Sequence, residues 1–209
     1  MVAELLAEQF PGSAKELCEL DHESPFQLLA ATILSAQTTD KRVNEVTPVL
    51  FARYPTPGDL AGAVPEELEE IVHSTGFYRN KAKSLIGMAR ALVERFDGEV
   101  PSAMEDLVTV PGTGRKTANV VRSVAMNEPG LPVDTHVLRL SKRLGLVTAD
   151  IGDDAVKVEH ALGALVAPAD RGVFSLRVIL HGRRVCDARK PQCGECVLAG
   201  VCPSAGSFG

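Results

Sequence analysis

The sequence predicts an all-α fold, and three observations lead to that prediction. Apolar residues recur at helical spacing in several segments, whereas no alternating strand pattern extends beyond a few residues. Helix-start and helix-stop signals are frequent, and the connections between them are short and carry Pro, Gly or Asp. Aromatic residues make up only 4% of the chain and tryptophan is absent, so aliphatic side chains must fill the core. These patterns predict about ten short helices.

Four segments carry the clearest helix signals. Residues 64–67, Val-Pro-Glu-Glu, are typical of a helix start, with proline in the first turn and acids at the positive end. Residues 81–96 repeat apolar side chains with the spacing of one helix face. Residues 102–105, Ser-Ala-Met-Glu, predict a capping box that opens a short helix. Residues 135–144 predict a helix that is closed by Gly145.

Composition and charge limit the classes of function. No apolar stretch is long enough to span a bilayer, and the N-terminus carries glutamates and no early basic residue. We therefore expect a cytosolic protein in a reducing compartment, with no membrane partner. The net charge is −5, but residues 101–209 hold 13 basic and 11 acidic side chains, against 9 and 16 in residues 1–100. Because phosphates respond to local charge, the acidic total predicts weak non-specific DNA binding without excluding DNA.

A compact helix–hairpin–helix is predicted in LVTVPGTGRKTANVV, residues 107–121. Gly112 and Gly114 permit positive φ and leave no Cβ in the way of a ligand. The free N–H groups that open the next helix can bind an anion such as a phosphate. An ordinary helix–helix turn uses glycine for the same reason and remains an alternative. The triplet that follows favours DNA: Arg115, Lys116 and Thr117.

Lys116 is a candidate nucleophile. A cation in the first turn of a helix opposes the macrodipole at a cost of about 0.3–1 kcal/mol. The helix N-terminus and the adjacent Arg115 both disfavour the ammonium form, and an unprotonated amine is a nucleophile. A simple phosphate contact explains the same residue equally well, so the motif alone leaves both roles open.

A second polar constellation lies in PVDTHVLR, residues 132–139. Asp134 occupies the position of a helix N-cap, and N-cap aspartates are common for structural reasons alone. His136 follows one turn into the helix. Locally, the sequence does not decide whether His136 is buried, exposed or functional.

Four cysteines lie in CDARKPQCGECVLAGVC with the spacing C-x6-C-x2-C-x5-C. Such an array, without a secretory signal, favours metal ligands over disulfides. Zinc usually takes two close pairs, and only one is present here, so the uneven spacing favours a [4Fe–4S] cluster. Zinc and disulfides remain alternatives. The predicted ligands are Cys186, Cys193, Cys196 and Cys202, and the first loop between them exposes Arg189 and Lys190.

Taken in order, the hairpin segment, VDTHVLR, LHGRRVC and the cysteine array resemble the endonuclease III family. These are bifunctional DNA glycosylases and abasic-site lyases of the helix–hairpin–helix superfamily. The resemblance begins near ILSAQTTD, residues 33–40, and extends to Cys202. It implies a six-helix barrel over residues 18–128 with the helix–hairpin–helix at about 103–126. It also implies a helical iron–sulfur domain made of residues 1–17 and 129–209, with the DNA cleft between the domains.

The chemistry implied by the resemblance is the excision of damaged pyrimidines from double-stranded DNA by a monomer. The base is flipped out of the duplex, and the Asp134 carboxylate stabilises the positive charge that develops at C1′. Lys116 adds at C1′, and β-elimination from the Schiff base cleaves the strand. By their motifs, Gln37 enters the base stack and Phe77 matches a wedge residue that is often aliphatic. The remaining DNA contacts implied are Gly112, Gly114, Arg115, Thr117, His136, Arg189 and Lys190.

Three other functions fit parts of this pattern. Adenine glycosylases of the superfamily lack the hairpin lysine, so Lys116 argues against that activity. A glycosylase for thymine mismatches or pyrimidine dimers differs only in the base pocket, which the sequence does not reveal. From another class, a non-catalytic DNA-binding protein could use the cluster as a redox sensor, but it would have no need of both Lys116 and Asp134.

Overall fold

The computed structural model describes residues 1–151 and 153–207. In this part of the chain all regular structure is helical and no strand occurs, which confirms the all-α prediction. No helix within it is both long and apolar enough to cross a membrane. The α-helices are α1 (Val2–Gln9), α2 (Ala14–Leu17), α3 (Pro25–Leu34), α4 (Asp40–Arg53), α5 (Pro57–Ala61), α6 (Pro65–Val72), α7 (Tyr78–Arg95), α8 (Met104–Leu107), α9 (Arg115–Ala125), α10 (Thr135–Arg143), α11 (Ala155–Leu165) and α12 (Arg171–Arg184).

The helices divide between two compact units. The central unit, Cys18–Met126, contains α3 to α9. The terminal unit combines Met1–Leu17 with Asn127–Gly209 and contains α1, α2 and α10 to α12. The terminal unit is therefore built from both ends of the sequence.

The core of the central unit surrounds α3. Its N-terminus is fixed by Ser24, whose Oγ accepts a hydrogen bond from the Gln27 N–H at 3.2 Å, and by Pro25 in the first turn. Nearly every later residue of α3 is buried, as expected of a helix that is apolar on all sides. It packs against α4, α7 and α9. Helix α9, which begins just after the glycine hairpin, therefore rests on the most deeply buried helix of its unit.

The terminal unit is organised around α12. This helix packs against α1, α2 and α10. Leu6 of α1 is fully buried, and Arg177 of α12 donates to the carbonyl oxygens of Phe10 at 3.0 Å and Gly12 at 3.1 Å. The hydroxyl of Ser175 donates to the carbonyl of Pro132, at the start of the segment that leads to α10. Both the N-terminal segment and α10 are thus fixed to one helix.

Two of the four predicted helix boundaries are confirmed directly. Helix α6 begins at Pro65 with Val64 as its N-cap and two glutamates in its first turn. Helix α10 covers Thr135–Arg143 and ends before Gly145, whose φ of +65° is the left-handed conformation that glycine adopts readily.

The other two boundaries differ from the prediction. Helix α7 begins at Tyr78 rather than at residue 81, because the left-handed Phe77 immediately before it ends the preceding turn. The capping box at residues 102–105 is wrong, since the N-cap of α8 is Ala103 and no side chain caps that helix. The carbonyl oxygen of Ser102 instead accepts a hydrogen bond from Arg122 Nη1 at 2.5 Å, which connects this segment to α9.

Candidate functional site

The glycine hairpin connects α8 to α9, and its two glycines serve different purposes. Gly112 has a φ of +79°, and a Cβ there would lie 3.1 Å from Ser84 Cβ and 3.2 Å from Ile33 Cδ1. The positive φ favours glycine at this position, and any larger residue would also force these neighbours to move by a few tenths of an ångström. Gly114 has an ordinary extended conformation with φ −86°, so only Gly112 uses the positive φ that glycine permits. A Cβ at Gly114 would meet no atom within 4 Å, which leaves open space beside α9.

The first turn of α9 lacks both a side-chain cap and an acidic residue. Its N-cap is Gly114, which has no side chain to accept bonds from the opening N–H groups, and no acidic residue lies in the first turn. Lys116 is the second residue of the helix and is exposed to solvent, whereas Arg115 and Thr117 beside it are half-buried. The opening N–H groups and the helix dipole thus lie beside the open space at Gly114, and Lys116 adds an exposed cation to the same turn.

Asp134 is the N-cap of α10, as its sequence position predicts. Its Oδ1 accepts hydrogen bonds from the backbone N–H groups of His136 at 2.8 Å and Val137 at 2.9 Å. Both bonds use the same carboxylate oxygen, so they fix the orientation of the side chain without involving Oδ2. The half-buried carboxylate is therefore held rigidly and still has one oxygen available to a ligand.

His136 lies half-buried at the start of α10, against α12. Its Nδ1 is 3.1 Å from Arg139 Nη2, and a Cβ added at Gly182 would come within 2.8 Å of the same nitrogen. Arg139 also donates to the carbonyl oxygens of Gly182 at 3.0 Å and Cys186 at 2.9 Å. The imidazole is thus placed by close packing on Gly182.

Gln37 and Phe77 occupy two exposed turns of the central unit. Both have left-handed backbones, with φ of 54° and 47°, which costs about 1–2 kcal/mol for a residue with a Cβ. The Phe77 side chain is 66% exposed, so it does not belong to the core. Large apolar side chains are normally buried, and strained backbones concentrate at functional sites.

The four cysteines of the array line a single cavity in the terminal unit. All four are half-buried and none forms a disulfide, so the disulfide alternative is wrong. Among the described residues, no three Cys, His, Asp or Glu side chains converge closely enough to hold one metal ion. Thiols distributed around a cavity fit a cube of four irons better than a single zinc. The lining also includes apolar side chains: Leu140, Leu144, Val185 and Leu198.

Two side chains beside the cysteines were missed by the sequence reasoning. Arg143 donates from Nη1 to Cys186 Sγ at 3.2 Å and to the Asp187 carbonyl at 2.7 Å, and from Nη2 to the Ala188 carbonyl at 2.8 Å. His181 Nε2 lies 3.4 Å from Cys196 Sγ, and burial lowers the pKa of this imidazole. Burial also raises the pKa of the Cys196 thiol, and the other three cysteines raise it further. No local spacing signals these contacts, since Arg143 lies 43 residues before Cys186.

The loop after Cys186 presents the two predicted cations to solvent. Asp187 Oδ1 accepts hydrogen bonds from the backbone N–H groups of Arg189 at 2.9 Å and Lys190 at 3.4 Å. These bonds hold the pKa of the Asp187 carboxyl below its usual value. Arg189 and Lys190 are exposed. The Asp187 carboxylate thus stabilises the turn on which these two exposed cations lie.

Sequence reasoning also missed Lys81, which lies in the first turn of α7 and is only 5% exposed. Its Nζ donates to Thr38 Oγ1 at 2.9 Å and to the Thr75 carbonyl at 2.7 Å. Burial lowers the pKa of this lysine. In the sequence it is one of several basic residues of a helix, and only the fold reveals that it is buried.

Comparison with known proteins relates these features to two families of sequences. Residues 30–168 match the HhH-GPD superfamily of base excision DNA repair proteins, and residues 186–202 match the iron–sulfur binding domain of endonuclease III. The chain is 54% identical to endonuclease III of Synechocystis sp. over 96% of its own length and 90% of the relative's. It is 44% identical to endonuclease III of Bacillus subtilis, covering 94% and 88% of the two chains.

Solved structures give the same relationship. A trapped covalent endonuclease III–DNA intermediate, in an estranged-adenine complex, superimposes with a TM-score of 0.90 at 42% sequence identity. The match covers 99% of this chain and 94% of that one.

Proposed function

Because the chain belongs to the endonuclease III family of base excision repair proteins, it is a DNA glycosylase, and we propose that it excises damaged pyrimidines and then cleaves the strand. The substrate in this proposal is double-stranded DNA with an oxidised pyrimidine or an abasic site, and the enzyme acts as a monomer on the chromosome in the cytoplasm. The observation that carries the proposal is an exposed lysine beside an uncapped helix N-terminus, in the hairpin of a glycosylase family.

The hairpin holds the DNA backbone in this proposal. The N–H groups that open α9 bind a phosphate, and the missing Cβ of Gly114 lets that phosphate approach closely. Arg115, Thr117 and His136 supply further polar contacts. Arg189 and Lys190 add cationic contacts from the loop after Cys186, which increases affinity without selecting a sequence.

Lys116 and Asp134 perform the chemistry. Lys116 Nζ, as the free amine, attacks C1′ while the glycosidic bond breaks and the base leaves with the bonding electrons. The Asp134 carboxylate stabilises the positive charge that develops at C1′ during this step. Opening of the sugar ring gives an imine between Nζ and C1′. Loss of a proton from C2′ then expels the 3′ phosphate, which cleaves the strand.

Access to the damaged base requires that it leave the stack. We assign Gln37 and Phe77 to the space it vacates, with Gln37 facing the widowed base and Phe77 acting as a wedge. Their exposure supports this role, because an exposed phenyl ring loses unfavourable contact with water when it stacks between bases. Flipping costs a few kcal/mol, and less for a poorly stacked base.

The cofactor is a [4Fe–4S] cluster, and we assign Cys186, Cys193, Cys196 and Cys202 as its ligands. When bound, the cluster crosslinks the residues of its loop through iron–thiolate bonds and has no part in the excision step. Arg143 supports the same loop by its bonds to Cys186, Asp187 and Ala188. A rigid loop keeps Arg189 and Lys190 in place at less entropic cost on binding.

Covalent trapping tests the proposal. Borohydride reduces the imine, so the wild-type protein should be trapped on a duplex that contains thymine glycol. Lys116→Ala should abolish the adduct, whereas Lys83→Ala, which removes an exposed lysine of α7, should leave it unchanged. Trapping that persists in Lys116→Ala would identify another amine as the nucleophile. Binding without base release or trapping in the wild type would instead favour the redox-sensor function.

A further inference from the structure

The two turns that carry Gln37 and Phe77 are far apart in sequence but are connected by one small hydrogen-bond network. Gln37 lies between α3 and α4, and Phe77 lies immediately before α7. The hydroxyl of Thr38, the residue after Gln37, donates to the carbonyl of Thr75, two residues before Phe77. This bond therefore joins the two turns close to their left-handed residues, since Thr38 is adjacent to Gln37 and Thr75 is two residues before Phe77.

The buried side chain of Lys81 is the third member of this network. Its ammonium donates to both atoms that join the turns, at 2.9 Å to Thr38 Oγ1 and 2.7 Å to the Thr75 carbonyl. Its backbone N–H also donates to the Phe77 carbonyl at 3.1 Å. One residue thus holds the Phe77 turn at two points and the Gln37 turn at a third.

The environment of Lys81 is unfavourable for a lysine. The side chain is only 5% exposed, the two acceptors of its ammonium are a hydroxyl and a carbonyl rather than a carboxylate, and it lies in the first turn of α7, where the helix dipole opposes a positive charge. Burial without a carboxylate partner disfavours the ammonium, which lowers the pKa of Lys81. Thr75 is buried as well, and its hydroxyl is bound to the Val72 carbonyl at 2.7 Å. Residues that are this unfavourable for folding occur mainly where function requires them.

We propose that Lys81 is a positioning residue that fixes the spacing between the Gln37 and Phe77 turns, so that both side chains enter the opened base stack together. This inference rests on the proposed function of those two residues. Lys81 itself is too buried to reach DNA, so it acts through the turns and not on the substrate. Without the Lys81 bonds, the two turns would have to become ordered when DNA binds. The entropic cost of that ordering would lower the rate of every step that needs an extrahelical base.

Replacement of the ammonium by an apolar chain of similar length separates positioning from folding. In Lys81→Met the Thr75 carbonyl keeps its bond from the Thr38 hydroxyl, so no buried polar group of the network loses every partner. We expect Lys81→Met to melt no earlier than wild type. The single-turnover release of thymine glycol paired with adenine should fall about tenfold. A 2-aminopurine placed opposite the lesion should show a smaller rise in fluorescence on binding, since fewer complexes open the stack.

Trapping at an abasic site in single-stranded DNA provides the contrasting measurement. No stack has to be opened there, so Lys81→Met should trap within about twofold of wild type. Equal losses on both substrates, or an unchanged rate on the duplex, would overturn the proposal. Failure of the wild type to trap on either substrate would instead contradict the proposed function itself, and the two failures are therefore distinguishable.

Two further variants complete the test. Lys83→Met removes an exposed lysine two residues along the same helix and should behave as wild type. Thr38→Val removes the hydroxyl that joins both turns and should reproduce the selective loss on duplex DNA, which keeps the proposal testable if Lys81→Met does not fold. The double variant Thr38→Val with Lys81→Met should lose less than the product of the two single effects, because both act through one network. Multiplicative losses would contradict that shared action.

Discussion

At the scale of single residues, the chain holds an informative pair of aspartates. Asp134 caps α10, and Asp154 caps α11 with the same two bonds, from the N–H groups of Val156 at 3.0 Å and Lys157 at 3.1 Å. Asparagine caps helices about as well as aspartate. Replacement by asparagine therefore removes the negative charge at either position while the cap is kept.

We expect Asp134→Asn to lose base release and keep its fold and DNA affinity. Loss of the electrostatic stabilisation at C1′ should lower the single-turnover rate by about 10²–10³. Asp154→Asn, the matched control, should release the base at the wild-type rate. Rates on a thymine glycol duplex, together with gel-shift affinities, provide the measurement. A parallel loss of binding in Asp134→Asn would show that the residue is a cap and no more.

Local sequence identifies residues whose role depends on their neighbours in the chain. It does not identify residues whose role depends on contacts that form only in the folded protein. The N-cap position of Asp134 follows from PVDTHVLR, and the structure confirms it. Lys81 could not be identified in this way, because its partner Thr38 lies 43 residues earlier and its burial is a property of the folded unit. Arg143 is a similar case, since its bond to Cys186 depends on the packing of α10 beside the cysteine loop.

At the scale of elements, the hairpin contains one glycine that its conformation requires, Gly112, and one that we propose lies against DNA, Gly114. We expect Gly112→Ala to be destabilised, because alanine there is strained at φ +79° and crowds Ser84 and Ile33. Gly114→Ala has an ordinary φ and open space, so its melting temperature should remain near that of wild type. A methyl group beside the N–H groups of α9 should nevertheless impede the phosphate and weaken DNA binding. Thermal melts and affinities for an uncleavable abasic duplex measure the two effects. If Gly114→Ala binds DNA with wild-type affinity, the proposed phosphate contact at the hairpin is contradicted.

The sequence predicts helices more reliably than their first residues. Periodicity locates α7, but the left-handed Phe77 that sets its start has no side-chain signature. Ser102 matches a capping box by type, yet its carbonyl bonds to Arg122 and the helix begins beyond it. Helix boundaries depend on such tertiary contacts, and a local pattern does not contain them.

At the scale of the whole molecule, the terminal unit depends on segments from both ends of the chain. Leu6 is fully buried in the N-terminal helix, and Gln9 Oε1 lies 2.8 Å from Nδ1 of His181, whose other ring nitrogen lies beside Cys196. The first residues of the sequence therefore support the helix that borders the cysteine cavity. Leu68 is equally buried, but in the central unit.

This arrangement predicts that a core defect far from the cysteines in sequence weakens retention of the cluster. Leu6→Ala should lower the free energy of unfolding of the terminal unit by about 2–5 kcal/mol, because it leaves a cavity against α12. The visible absorbance of the cluster should then be lost at a lower urea concentration than in wild type. Leu68→Ala creates the same type of cavity in the other unit and should lower helix stability there with little effect on the absorbance midpoint. Equal shifts of that midpoint in both variants would mean that the two units unfold together, and that the position of Leu6 has no special bearing on the cluster.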